Sequence, residues 1–103
     1  MNNTVKKIQR ALKDEHITMH AASGEKPGEI ELLWQPVNDA RSYVVQINHF
    51  TNSILTWKHS DIVTRTRYTA TGLRSNKLYS FRVAAVTSKG QQGWSKPVKQ
   101  KAS

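Results

Sequence analysis

From Tyr79 onward the chain alternates, with Tyr79, Phe81, Val83 and Ala85 on one parity and Ser80, Arg82 and Ala84 on the other. Successive side chains of a strand point to opposite faces, so this run predicts a strand with one face on a core. The same period recurs along the chain. Ile17, Met19 and Ala21 alternate with Thr18 and His20, and Ile30, Leu32 and Trp34 alternate with Glu29, Glu31, an exposed Leu33 and Gln35. Tyr43, Val45 and Ile47 give the inward face of a third strand. A short strand over Ile54 to Lys58 carries Trp57, and a longer one over Ile62 to Ala70 sets Ile62, Thr64, Thr66, Tyr68 and Ala70 inward. Trp94-Ser95-Lys96-Pro97-Val98 opens the last strand, where Pro97 suits an edge because its missing donor faces solvent.

Turn residues separate these runs. Gly24-Glu25-Lys26-Pro27-Gly28 has Pro and Gly at the central positions of a type II turn. Pro36 to Arg41, Phe50 to Ser53 and Ser88 to Gly93 read as loops. The expected fold is therefore all-β, a seven-stranded sandwich over residues 16–103. Residues 1–15 stand apart: Val5, Ile8 and Leu12 recur at helical spacing while Lys6, Lys7, Arg10 and Lys13 fill the other face. That pattern predicts a short amphipathic N-terminal helix or a frayed tail, marginal unless its stripe finds a surface, since isolated helices below about 12–15 residues rarely hold in water.

Composition narrows the function classes. A chain of 103 residues with 37% hydrophobic and 22% charged positions is one ordinary globular domain. It has no cysteine, which excludes disulfides and cysteine-ligated zinc. No apolar run approaches the roughly 20 residues of a membrane span, and the basic N-terminus has no apolar core for a signal peptide. The formal charge of +9 raises the question of polyanions.

Leu73 and Tyr79, six positions apart across Arg74-Ser75-Asn76-Lys77, resemble the tyrosine corner of fibronectin type III domains. Trp34, Tyr43, Val83 and Ser95-Lys96-Pro97-Val98 follow that family's order, so residues from about His16 to Gln100 are similar to it, most of all to small bacterial members. The resemblance implies an immunoglobulin-like sandwich in which Trp34 is a core residue. It also implies that the Tyr79 hydroxyl bonds the backbone upstream. Asn76 stands where the family often has Gly, and Asn tolerates the left-handed conformation such a turn requires. Arg-Gly-Asp is absent from the Ser88 to Gly93 loop, so integrin binding is not implied.

Catalytic chemistry is sparse. His16 and His20 have ligand spacing only on a helix; on a strand, four residues span some 13 Å at about 3.3 Å each, and no metal site is expected. His59 and Asp61 lack a Gly-x-Ser-x-Gly serine, no phosphate-binding loop is present, and the expectation is no enzyme and no cofactor. The resemblance implies a monomeric interaction module that binds a protein or glycan partner. Its loops are expected to bring Arg41, Lys89, Gln91 and Gln92 together at one end, with the outer face carrying Val44, Arg82 and Val86 as the next surface. A structural spacer of a longer protein and a weak polyanion binder are the alternatives. Sequence-specific nucleic-acid binding is not expected, because Arg65 and Arg67 are placed beside Glu29 and Glu31 and the remaining cations are dispersed over both ends.

Overall fold

The computed structural model describes residues 17–49 and 56–103. The expected helix at 1–15 lies outside them. Eight strands follow in order: β1 (Met19–Ser23), β2 (Ile30–Trp34), β3 (Ala40–His49), β4 (Lys58–Val63), β5 (Arg67–Ala70), β6 (Leu78–Thr87), β7 (Gly90–Trp94) and β8 (Val98–Lys101). One sheet has the order β1-β2-β5, and the other β4-β3-β6-β7 with β8 also on β6. All pairings are antiparallel.

The period-two reading accounts for the core between the sheets. Ile30, Leu32 and Trp34 of β2, Tyr43 and Val45 of β3, and Tyr79, Phe81, Val83 and Ala85 of β6 are all buried in one cluster. Trp34 meets Tyr43 edge to face with ring centroids 5.5 Å apart. Leu33, of the opposite parity, is 53% exposed.

The eighth strand arises because the last strand is broken. At Ser95 the backbone N–H donates to Val83 O (2.8 Å) and the side-chain Oγ accepts from Val83 N–H (3.0 Å). A hydroxyl thus takes the place of a ladder carbonyl, and Pro97 two residues on has no N–H to give. The edge divides into β7 along Ala84 to Thr87 and β8 along Leu78 to Phe81.

Three assignments need correction. The loop expected over Ser88 to Gly93 ends at Lys89, because Gly90–Trp94 pairs with β6 as β7. The strand expected over Ile54 to Lys58 runs instead from Lys58 to Val63, with residues 54 and 55 outside the described ones. Ile62 does not face the core; it lies on β4, pairs with Val44 of β3 and is 57% exposed. The Thr64–Thr66 bend carries the chain to the other sheet, where Thr66 O accepts from Trp34 N–H (3.0 Å) and β5 covers only Arg67–Ala70. Alternation runs through both segments without interruption, and a period of two does not encode which sheet a strand joins.

Tyrosine hydroxyls fasten the connections. Arg74 N–H donates to Tyr79 Oη (2.9 Å), the corner expected from Leu73 and Tyr79, with Asn76 at φ 64° in the same turn. Gly28 abuts it: Leu73 N–H bonds Gly28 O (3.0 Å), φ there is 78°, and a Cβ would stand 2.6 Å from Leu73 O. Val37 N–H donates to Tyr43 Oη (2.9 Å), and Tyr68 Oη shares a hydrogen bond with Ser60 Oγ (2.9 Å), joining β5 to β4 across the sheets. On the other side Gln100 Nε2 donates to Ser23 Oγ (3.2 Å), joining β8 to β1.

Replacing Tyr79 by Phe leaves the Arg74 N–H without its partner, for a cost of about 1–3 kcal/mol. A thermal melt checks this, since a domain of this size loses about 4–8 °C per kcal/mol.

Candidate interaction surface

Three connections meet at one end of the sandwich. The link after β2 is held by Tyr43, the Thr64–Thr66 bend lies beside Trp34, and the β6–β7 turn closes at Ser88 and Lys89. Ser88 Oγ donates to Asp39 Oδ2 at 2.8 Å, so two turns 49 residues apart form a single tip. Asp39 adopts φ 67°. The Ser88 hydrogen bond holds its carboxyl below the ordinary carboxylate value against the opposing effect of desolvation, and the charges of Arg41 and Lys89 add in the same downward direction.

Arg41, Lys89, Gln91 and Gln92 are all exposed at this end. Arg41 and Lys89 both act on the Asp39 carboxylate. Gln92 bends back, its Nε2 donating to Gly90 O (2.9 Å) and Thr87 Oγ1 (3.3 Å), so it stabilises its own turn. Gln91 stands opposite Val86 and leads from the tip onto the outer face of the five-stranded sheet.

That face holds a constellation the alternation does not disclose. The Arg82 guanidinium carbon lies 4.5 Å from the Trp57 ring centroid and 4.2 Å from that of Trp94. Arg82 Nε donates to Gln46 Oε1 (2.8 Å), its neighbour in register. A cation between two indoles is attracted by both ring quadrupoles. Desolvation lowers the Arg82 pKa, yet a guanidinium remains charged at any physiological pH. Trp94 is opposite Ala84, which is fully buried although it points away from the core. Val44, Ile62 and Val86 continue the apolar surface beside the stack. Arg82 was visible in sequence as an outward residue, whereas Trp94 was read only as the opening of the last strand; their meeting depends on the β6–β7 register, with its shift between Ala84 and Val86.

The acidic and basic residues of the other sheet do not pair as expected. Arg67 is opposite Leu33 and Glu31 opposite Thr69, so the two charges are diagonal neighbours, and Arg65 lies in the bend outside β5. Among the described residues no three histidine or acidic side chains gather in a metal-binding group. Asp61 accepts from Ile62 N–H (2.7 Å). No helix among the described residues is long and apolar enough to cross a membrane.

The family model of the fibronectin type III domain matches residues 17–101. The chain belongs to this family. Fibronectin type III domains are in general non-catalytic interaction or spacer modules. Among solved structures, an Fn3-like protein from Clostridium thermocellum is 22% identical, with 84% of this chain covering 88% of that one at a TM-score of 0.68. The FN5 domain of Drosophila Lar is 26% identical, with 82% and 90% covered and a TM-score of 0.65. The twitchin kinase region from C. elegans is 22% identical; 74% of this chain matches 14% of that longer one at a TM-score of 0.63. These likenesses establish the fold. No curated protein matches the chain.

Two outcomes are expected for this fibronectin type III domain. Arg82→Met removes both ring contacts and lowers stability by about 0.5–2 kcal/mol, with a change in tryptophan fluorescence measured alongside denaturant unfolding. Asp39, its folded pKa depressed, contributes to the tip above its ordinary pKa of 3.8 and loses that contribution as pH falls through the folded value. An NMR titration is expected to place its midpoint below 3.8 and to find it raised in Ser88→Ala.

Proposed function

We propose that this fibronectin type III domain is a non-catalytic protein-binding module that engages its partner with the outer face of β4-β3-β6-β7 and the adjoining tip. The observation that carries the reading is the Trp57–Arg82–Trp94 stack beside Ile62, an apolar side chain 57% exposed on a sheet face. Trp and Arg are the side chains most enriched among residues that dominate protein interfaces, and a contiguous apolar surface with a polar rim is the usual setting for them. Val44 and Val86 extend the apolar part, while Arg41 and Lys89 with Gln91 and Gln92 form its border at the tip. The complementary partner is a protein with an apolar contact surface bordered by carboxylates. Electrostatic match at such a border sets orientation and association rate more than affinity.

A photo-crosslinking residue at position 62, compared with one at position 33 on the other sheet, tests this in lysate of the source cells. A defined protein captured from 62 and not from 33 is the expected result. Ile62→Asp is then expected to weaken binding to the purified partner about tenfold or more while stability stays within about 0.5 kcal/mol, because the side chain is outside the core. Alanine at Arg41, Lys89, Gln91 and Gln92 together is expected to slow association. Equal capture from both sheets, or an unchanged affinity for Ile62→Asp, refutes the face as the contact surface.

A further inference from the structure

The end of the sandwich opposite the Asp39–Ser88 tip carries a cleft of about 540 Å³, lined among the described residues by His49, Arg74, Lys77, Leu78, Tyr79 and Lys101. Arg74, Lys77 and Lys101, cations expected at this same end, surround one opening. No carboxylate is among the described lining residues.

The cations stand on a fixed frame. Arg74 N–H is bonded to Tyr79 Oη (2.9 Å), and the turn that follows is tied to the chain end by Asn76 N–H to Ala102 O (2.9 Å) and Ala102 N–H to Lys77 O (3.0 Å). Lys101 lies opposite Leu78 in the β6–β8 register. Leu78 is 38% exposed, and the His49 ring meets the Tyr79 ring edge-on at 5.8 Å. The cleft therefore joins three positive charges to an apolar side chain and a ring edge. Its volume lies within the roughly 300–1,000 Å³ of small-ligand sites.

We propose that this cleft binds a small organic oxyanion, a phosphate, sulfate or carboxylate carried on a ring-sized body with an apolar face. The oxyanion is held by Arg74, Lys77 and Lys101, with the Arg74 guanidinium offering paired donors to two oxygens. The body rests on Leu78, which removes its apolar face from water. A stacked nucleobase is the less suited occupant, since it needs an open aromatic face and Tyr79 is only 6% exposed. Charge alone does not explain the arrangement: solvated surface cations give weak attraction that salt screens, whereas a body seated on Leu78 adds a salt-independent share.

Phenyl phosphate is the probe, with inorganic phosphate and phenol as its two halves, followed by NMR on isotope-labelled protein. The expected result is perturbation of the Leu78 methyls and the amides of residues 74–77, with phenyl phosphate bound about tenfold or more tighter than either half. The exposed pair Lys77→Gln with Lys101→Gln is expected to weaken both anions about tenfold. Leu78→Ser is expected to bring phenyl phosphate down to the affinity of inorganic phosphate without changing the latter. Unchanged amide shifts in the β3–β6 ladder verify that each variant is folded. Competition with phosphatidylglycerol vesicles separates two sources of the same chemistry: displacement of the probe assigns the site to a lipid headgroup and persistence to a free ligand, both in support of the cleft. Equal affinity for phenyl phosphate and inorganic phosphate, indifference to Leu78→Ser, or perturbations that map away from the cleft overturn the proposal. The cleft shares no lining residue with the protein-binding face, so failure here leaves that reading untouched.

Discussion

The antiparallel ladder between β3 and β6 is the constraint on which both faces of this domain depend. Along it Val45 opposes Val83 and Ile47 opposes Phe81 on the inner parity, while Gln46 opposes Arg82 and Val44 opposes Ala84 on the outer. Because the side-chain period is two, a slip of one residue would exchange these sets, exposing Phe81 and burying a guanidinium. The inner set, with Phe81, Val83 and Val45 fully buried, fixes the register by the hydrophobic effect. The outer set then receives its positions without further choice, and Arg82 stands where Gln46 can accept its Nε–H.

Each of the three tyrosines is fixed by a hydroxyl contact as well as by its ring. Tyr79 fastens the turn before β6, Tyr43 the link after β2, and Tyr68 one side of the sandwich through Ser60. In each case an aromatic body contributes to the interior and the polar tip meets a group at its border, the division of labour suited to a phenol. The Tyr79 and Tyr43 contacts lie where chain direction changes, and the Tyr68 contact ties β5 to β4 on either side of the bend between them. Both candidate surfaces depend on them: the tip at Asp39 follows the Tyr43 contact, and the cationic cleft follows the Tyr79 contact.

The two ends differ in chemistry although both are basic. At the tip the positive charges of Arg41 and Lys89 act on the Asp39 carboxylate, which Ser88 also holds. At the opposite end Arg74, Lys77 and Lys101 face a cleft with no described carboxylate. A net charge of +9 therefore does not spread as one uniform field. Local compensation decides where it is available to a ligand.

The all-β class, the inner residues of β2, β3 and β6 and the left-handed turn at Asn76 were legible in the residues themselves, and the corner at Tyr79 through the family resemblance. Alternation and turn chemistry are properties of neighbouring residues, and each is imposed locally by backbone sterics and burial. The tertiary structure decided what depends on pairing between distant strands. Ile62 satisfies the alternation of the β5 run yet belongs to β4, because periodicity carries no record of which sheet a strand enters. Ser95 divides the final strand because its Oγ and N–H both reach Val83, a partner twelve positions away. The stack of Trp57, Arg82 and Trp94 draws on β6, β7 and the residue before β4, and Arg74, Lys77 and Lys101 meet only after β8 is laid against β6. Register set by core burial determines these encounters, and no window of the chain contains it.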